Sequence, residues 1–257
     1  MWRWLSAGKD ELPSYSLLNA VPSRGLPQEL ADREASADYE QWRDRIEADL
    51  FSEATNESAP GFATFLKSGD GLLQILLPES DKGCLLAFST VLRAADYART
   101  QAPQRKFEFF CSSAAQVVTG VAELRERAGI DHVALDRCPR CSTFMIVGSS
   151  SLDTPANVIK VWKISKATEI ARCNLYCDYA QAAARAGQLL VARDVALELV
   201  GHVTAEDPRV HLLLGKLAVQ LRDKTLLREA KRFLILLKHG EIVEELQEAH
   251  RTRSVQF

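Results

Sequence analysis

An α+β fold is predicted, with a small helix-covered sheet module first and helical hairpins after it. Three observations carry that expectation. Short apolar runs of strand length, bounded by Gly, Pro and Asp, occupy the middle of the chain. Stretches with Ser or Thr at their starts and helical spacing of apolar residues lie between those runs. Beyond Ser149-Ser150-Ser151, apolar residues recur at intervals of three and four almost without a break.

Composition bounds the function classes. The 257 residues are 47% hydrophobic and 26% charged, enough for a real core in one large domain or two ordinary ones. With 32 basic and 34 acidic residues the net charge is -2, which argues against a nucleic-acid role for the whole chain. No apolar run reaches the length of a membrane span, so no membrane partner is expected. The opening stretch MWRWLSAGKDELPSYS lacks the continuous apolar segment of a secretory signal. Six unevenly spaced cysteines make no disulfide framework, and the expected location is cytoplasmic with reduced thiols.

Residues 1–58 read as a polar N-terminal extension, broken by Pro13, Pro22, Gly25 and Pro27 and partly helical. From Glu29 to Phe51 the spacing of Tyr39, Trp42, Ile46 and Leu50 predicts one helix with a single apolar face. Residues 59–150 read as a mixed α/β module. Its strands are Leu72–Leu77, Cys84–Phe88, Phe107–Cys111, His132–Leu135 and Thr143–Val147, with a turn at Asp81-Lys82-Gly83. Ser89-Thr90 and Ser112-Ser113 cap the two helices between them, the second ending at Gly129. The order is β-β-α-β-α-β-β, and a sheet covered by helices on at least one face is the natural packing.

The passage ILLPESDKGCLLAFSTVLRAADYA resembles the signature of the SseB-type N-terminal domain: an apolar strand, a turn, and a strand ending in the triplet Phe88-Ser89-Thr90 before a helix. The likeness covers roughly Gly71 to Leu135. It implies a small α/β module without an established catalytic site and carries no functional residues over. The Cys138-Pro139-Arg140-Cys141 hairpin departs from that family's pattern.

Residues 151–257 read as helical. A helix opens at Asp153-Thr154-Pro155 and runs to Ala186. Others span about Leu189–His202, Glu206-Asp207-Pro208 through Leu221, Lys224–Lys238 and Glu241–Arg251. This region resembles a tetratricopeptide-like array. Tyr179, Ala183, Gly187, Ala192 and Ala196 fall near the small and aromatic positions of one repeat, and Leu214-Gly215, Ala218 and Asp223 begin a second, in which Ala230 comes late. Small residues at these places let paired helices approach closely.

The residues that could carry chemistry are few. Cys138 and Cys141 stand between two strand-like runs, the hairpin-tip geometry of a zinc knuckle. A redox Cys-x-x-Cys more often stands where a strand enters a helix. Cys173 and Cys177 lie four apart in the long helix and face the same way. Cys138, Cys141, Cys173 and Cys177 together would make a structural zinc site. A plain turn with two core cysteines accounts for the same residues. Among the histidines only His132 lies near the knuckle. Asp131 and Asp136 flank its strand, as an acid–base pair or as ordinary turn residues. Lys160, Lys163, Lys166, Arg172 and Arg185 line part of the long helix, a basic stripe for RNA or an acidic partner; no interleaved aromatics support a nucleic-acid groove, and a solvated face is the favoured reading. Phosphate-binding and α/β-hydrolase motifs are absent.

The expected function is that of a non-enzymatic interaction or adaptor protein, binding a protein partner through the helical C-terminal surface. The alternatives are a thiol- or zinc-dependent enzyme using Cys138 and Cys141, and a nucleic-acid-associated zinc protein. The sequence names no small-molecule substrate.

Overall fold

The run Gly83–Phe88 sends its side chains alternately to two faces, and both faces are buried. Leu85 and Ala87 belong to one apolar cluster; Cys84, Leu86 and Phe88 belong to another. Burial on both sides explains why this strand and its neighbours read as continuous apolar runs, without polar alternation. A computed structural model describes residues 3–5, 15–17, 27–53, 55, 63–69, 71–76, 83–101, 104–136, 145–202, 206–252 and 255–257.

The fold is α+β. Among the described residues the strands are β1 (Arg3–Leu5), β2 (Ala63–Ser68), β3 (Gly71–Leu72), β4 (Gln74–Leu76), β5 (Gly83–Phe88), β6 (Glu108–Ser112), β7 (His132–Leu135) and β8 (Met145–Gly148). They form one sheet in the order β1-β6-β2-β5-β7-β8, with β3 on β2 and β4 on β5. All pairs are antiparallel except β5 and β7, which run parallel from Cys84↔His132 to Ala87↔Leu135.

The helices are α1 (Gln28–Glu34), α2 (Ala37–Ser52), α3 (Val91–Gln101), α4 (Ala114–Ala128), α5 (Pro155–Arg185), α6 (Leu189–His202), α7 (Pro208–Leu221), α8 (Lys224–Leu236) and α9 (Gly240–Thr252). Helix α3 covers one face of the sheet through Ala94, Ala95, Tyr97 and Ala98. The other face is covered by Val117 and Val121 of α4, by Leu152, and by Val158, Ile159 and Trp162 of α5. The sheet is therefore sandwiched on both faces. Ser113 and Gln116 form a reciprocal capping box at the start of α4, and Gly129 ends that helix with φ 62°.

Several predicted elements are placed differently. The run Leu72–Leu77, expected as one strand, changes partner at Leu73. The Leu73 N–H donates to the Leu66 carbonyl while its own carbonyl accepts from Leu86, so β3 serves β2 and β4 serves β5. The helix expected from Glu29 to Phe51 breaks at Ser36, whose hydroxyl donates to the Arg33 carbonyl and accepts from the Tyr39 N–H. Strands β1 and β2 were not among the expected elements. Of the strand expected at Thr143–Val147, residues 143 and 144 lie outside the described residues.

The chain divides into two compact units, Met1–Leu12 with Glu47–Ala167, and Pro13–Ile46 with Thr168–Phe257. Two of the three divisions fall inside α2 and α5. The second unit is helical. Helix α7 packs against α6, α8 and α9, with Leu213, Leu214 and Leu217 of α7 and Leu226, Ala230 and Phe233 of α8 buried. Gly215 permits the close approach of α9: a Cβ there would stand 2.4 Å from the Leu246 Cδ1. Asp207 caps α7 ahead of Pro208, and Asp223 caps α8 through the N–H groups of Thr225 and Leu226. No described helix is long and apolar enough to cross a membrane.

Candidate functional site

Asp136 stands where the two parallel strands end. Its backbone sits at φ 55°, in the left-handed region, and its N–H donates to the Ala87 carbonyl at 2.8 Å. The turn aims the carboxylate at the start of α3. Oδ1 accepts from the Ser89 N–H at 2.7 Å and the Ser89 hydroxyl at 3.1 Å; Oδ2 faces Arg93 Nη1 and the Ser165 hydroxyl, both at 3.3 Å. Asp131, at the other end of β7, is exposed and faces Arg125 at 3.9 Å. The two acids do not meet as an acid–base pair. Asp136 is an organising group, which ties β5, β7, α3 and α5 together at the carboxyl ends of the parallel strands. His132 is half-buried on β7 and pairs in register with Cys84 and Gly148.

Cys138 and Cys141 lie outside the described residues. Cys173 and Cys177 are both buried on α5. The Cys173 thiol donates to Asp207 Oδ2 at 3.2 Å, with the Arg209 guanidinium 3.8 Å from the sulfur. Its hydrogen bond with Cys177, together with burial, pushes the Cys173 thiol well above its usual range. Burial also pushes the Asp207 carboxyl up. Hydrogen bonds from the Arg209 side chain, the Arg209 backbone and the Cys173 thiol outweigh it and hold the group below the usual carboxylate range. A thiol that donates to a carboxylate is a poor nucleophile, and zinc ligation would require it to lose that proton. Among the described residues no group of three or more His, Cys, Asp or Glu is placed to hold a metal. Native protein treated with a disulfide reagent at about pH 8 should leave Cys173 and Cys177 unmodified on peptide mapping, with both modified in urea. Rapid native labelling of Cys173 would contradict this placement.

The basic stripe expected on the long helix is largely engaged. Lys163 Nζ donates to the carbonyls of Leu50 and Glu53 at 2.7 Å each, closing the end of α2. Arg172 pairs with Glu34, which also accepts from the Tyr176 hydroxyl. Arg185 donates to the Phe257 carbonyl at 2.8 Å.

A different basic surface stands open on α8. Lys224, Arg228 and Lys231 recur at intervals of four and three, and Ile235 continues the stripe four residues on. Arg232 lies beside them; Arg222 and Lys238 stand at the two ends of the helix with φ of 57° and 64°. None of these six cations forms an ion pair among the described residues. Four of them, Lys224, Arg228, Lys231 and Arg232, line a groove of about 430 Å³ together with Leu227, Ile235 and, from α9, His250. A neighbouring hollow shares Lys224, Leu227 and His250 and extends to Val219 and Gln220. Ile235 is 62% exposed and Leu236 43% exposed. Ile235 and Leu236 thus stand exposed on a helix whose cations form no ion pair among the described residues. The stripe is visible in the sequence as K-x-x-x-R-x-x-K-x-x-x-I. Charge spacing alone does not separate it from the Lys160 to Lys166 stripe, because spacing does not tell an open cation from one engaged by a carbonyl.

Compared with protein-family models, with curated proteins and with solved structures, the chain matches none.

Proposed function

We propose that this chain is a non-enzymatic interaction protein, whose C-terminal helical surface docks an acidic segment of a partner protein carrying apolar side chains. The observation that carries this reading is the groove of α8 and α9, where Ile235 stands exposed among Lys224, Arg228, Lys231 and Arg232. Charge complementarity selects the partner. Cations along one helix face attract carboxylates and raise the encounter rate, and the apolar floor rewards a segment that brings leucine-like side chains. Full burial of a side chain such as Ile235 contributes about 1.5–3 kcal/mol. The described lining has no Phe, Tyr or Trp on which bases could stack, which favours a peptide over single-stranded nucleic acid. The succession of short capped helices, with Gly215 at a close crossing, supports the tetratricopeptide-like reading of this region. The antiparallel strands β4 and β5, followed by Phe88-Ser89-Thr90 and a helix capped by Thr90, support the SseB-like reading of the sheet module.

The test is a titration of the full chain with a fluorescein-labelled amphipathic peptide of Glu and Leu, beside an oligouridine of similar charge. The peptide is expected to bind in the micromolar range and to weaken as ionic strength rises. No peptide binding, or tighter binding of the oligonucleotide, would overturn the reading.

A further inference from the structure

Tyr15 is fully buried in the helical unit, although its successors Ser16 and Leu17 are exposed and half-buried. Its ring is nearly parallel to those of His211 on α7 and Phe233 on α8, with centroids 5.7 and 4.9 Å away. His211 and Phe233 stack on each other at 4.4 Å. The Tyr15 hydroxyl and His211 Nδ1 lie 2.7 Å apart, and the Ser16 N–H donates to Glu229 Oε2 at 3.2 Å. His211 is wholly buried and Glu229 nearly so.

The slot belongs to the helices. His211 comes from α7, and Glu229 and Phe233 come from α8, which pack on each other through their own leucines. What residues 15 and 16 add is one aromatic anchor and, at the turn that follows it, one backbone N–H on a carboxylate. Those are contacts by which a short peptide segment is recognised. Two buried polar side chains in the slot also set its selectivity. An aromatic anchor without a hydroxyl would leave His211 without that partner, at the cost of an unmade buried hydrogen bond. A phosphorylated tyrosine would not fit where the hydroxyl already touches the imidazole.

We propose that the slot formed by His211, Glu229 and Phe233 is a peptide-recognition site for a Tyr-Ser segment of a partner protein that turns after the tyrosine, and that Tyr15-Ser16 fills it as a ligand in cis. The site is separate from the basic groove: Glu229 and Phe233 lie on the buried side of α8, while Lys224, Arg228 and Ile235 lie on the exposed side. The tether gives Tyr15-Ser16 a high effective concentration at the slot, so a partner's segment must compete with it and gains access when Tyr15 is removed. Ionisation of the Tyr15 phenol opposes its own seat, because burial and then the nearby Glu229 carboxylate push it well above the usual phenol range.

The experiment uses the full chain and a fluorescein-labelled peptide, ELPSYSLLNA, copied from residues 11–20. Tyr15→Ala, which empties the slot, should bind the peptide at least about tenfold more tightly than the wild type, which must first release its own segment. A peptide with Phe for Tyr should bind about tenfold less tightly, and the phosphotyrosine peptide should not bind. A folded Tyr15→Ala chain that ignores the peptide at millimolar concentration would overturn the proposal. If Tyr15→Ala does not fold, 3-fluorotyrosine in the wild-type chain takes its place. Excess unlabelled peptide should then shift the buried Tyr15 resonance to its free position, and a resonance that does not move would overturn the proposal equally. Exchange of Tyr15 only between copies, seen as a doubled molecular size without peptide uptake, would also overturn it.

Discussion

Asp136→Ala should destabilise the protein by about 3–4 kcal/mol, the range for breaking a buried, hydrogen-bonded charge pair. The carboxylate side chain is 6% exposed and that of Arg93 13%, so solvent does little to replace what is lost. Removal strands the Ser89 N–H at the entry to α3, frees the Ser89 and Ser165 hydroxyls, and leaves the Arg93 guanidinium without this carboxylate. Alanine also tolerates φ 55° poorly. Asn at the same position accepts the left-handed backbone and keeps one acceptor oxygen, so Asp136→Asn should lose about half as much. Urea unfolding of the three proteins checks the order. A loss below about 1 kcal/mol for Asp136→Ala would remove Asp136 as the tie between the strand ends and α3.

Reversing three charges on α8, as Lys224→Glu, Arg228→Glu and Lys231→Glu together, should weaken binding of the acidic peptide by about 100-fold. Each reversal changes attraction into repulsion at a partly solvated rim, and about 1 kcal/mol apiece sums to two orders of magnitude. Stability should hardly move, because the three side chains form no ion pair among the described residues. At Lys224, the first residue of α8, a glutamate even suits the positive end of the helix dipole. The variant should therefore bind poorly while unfolding at or slightly above the wild-type denaturant concentration. Unchanged peptide affinity would move the partner site elsewhere. A parallel fall in stability would mean the cations hold the fold.

The helical half was legible because its signals are local. Asp207-Pro208, Asp223 and Gly187 each mark a boundary within a few residues of where it acts, and α6 and α7 run close to where their spacing puts them. The sheet was legible only in its most apolar strands. β2 is short, with Lys67 and Ser68 at its end, and its place between β5 and β6 depends on residues some twenty and forty-five positions away. β1 pairs Arg3–Leu5 with Phe109–Cys111, a contact no local pattern announces. The same limit hid the sites. Asp136 looks like any turn aspartate until Ser89 and Arg93 are brought to it. Tyr15 sits in a proline-broken stretch and gains meaning only beside His211 and Phe233.

The division of the chain sets the order in which the protein can be made. Residues 1–12 belong with 47–167, and residues 13–46 belong with 168–257, so stretches made before the sheet are divided between the two units. Tyr15 leaves the ribosome long before its ring partner Phe233 exists. At roughly 5–20 residues per second, that wait lasts on the order of 10–40 s. Arg3–Leu5 can pair as soon as β6 is made, whereas Tyr15 has no place of its own during vectorial synthesis until α8 is complete.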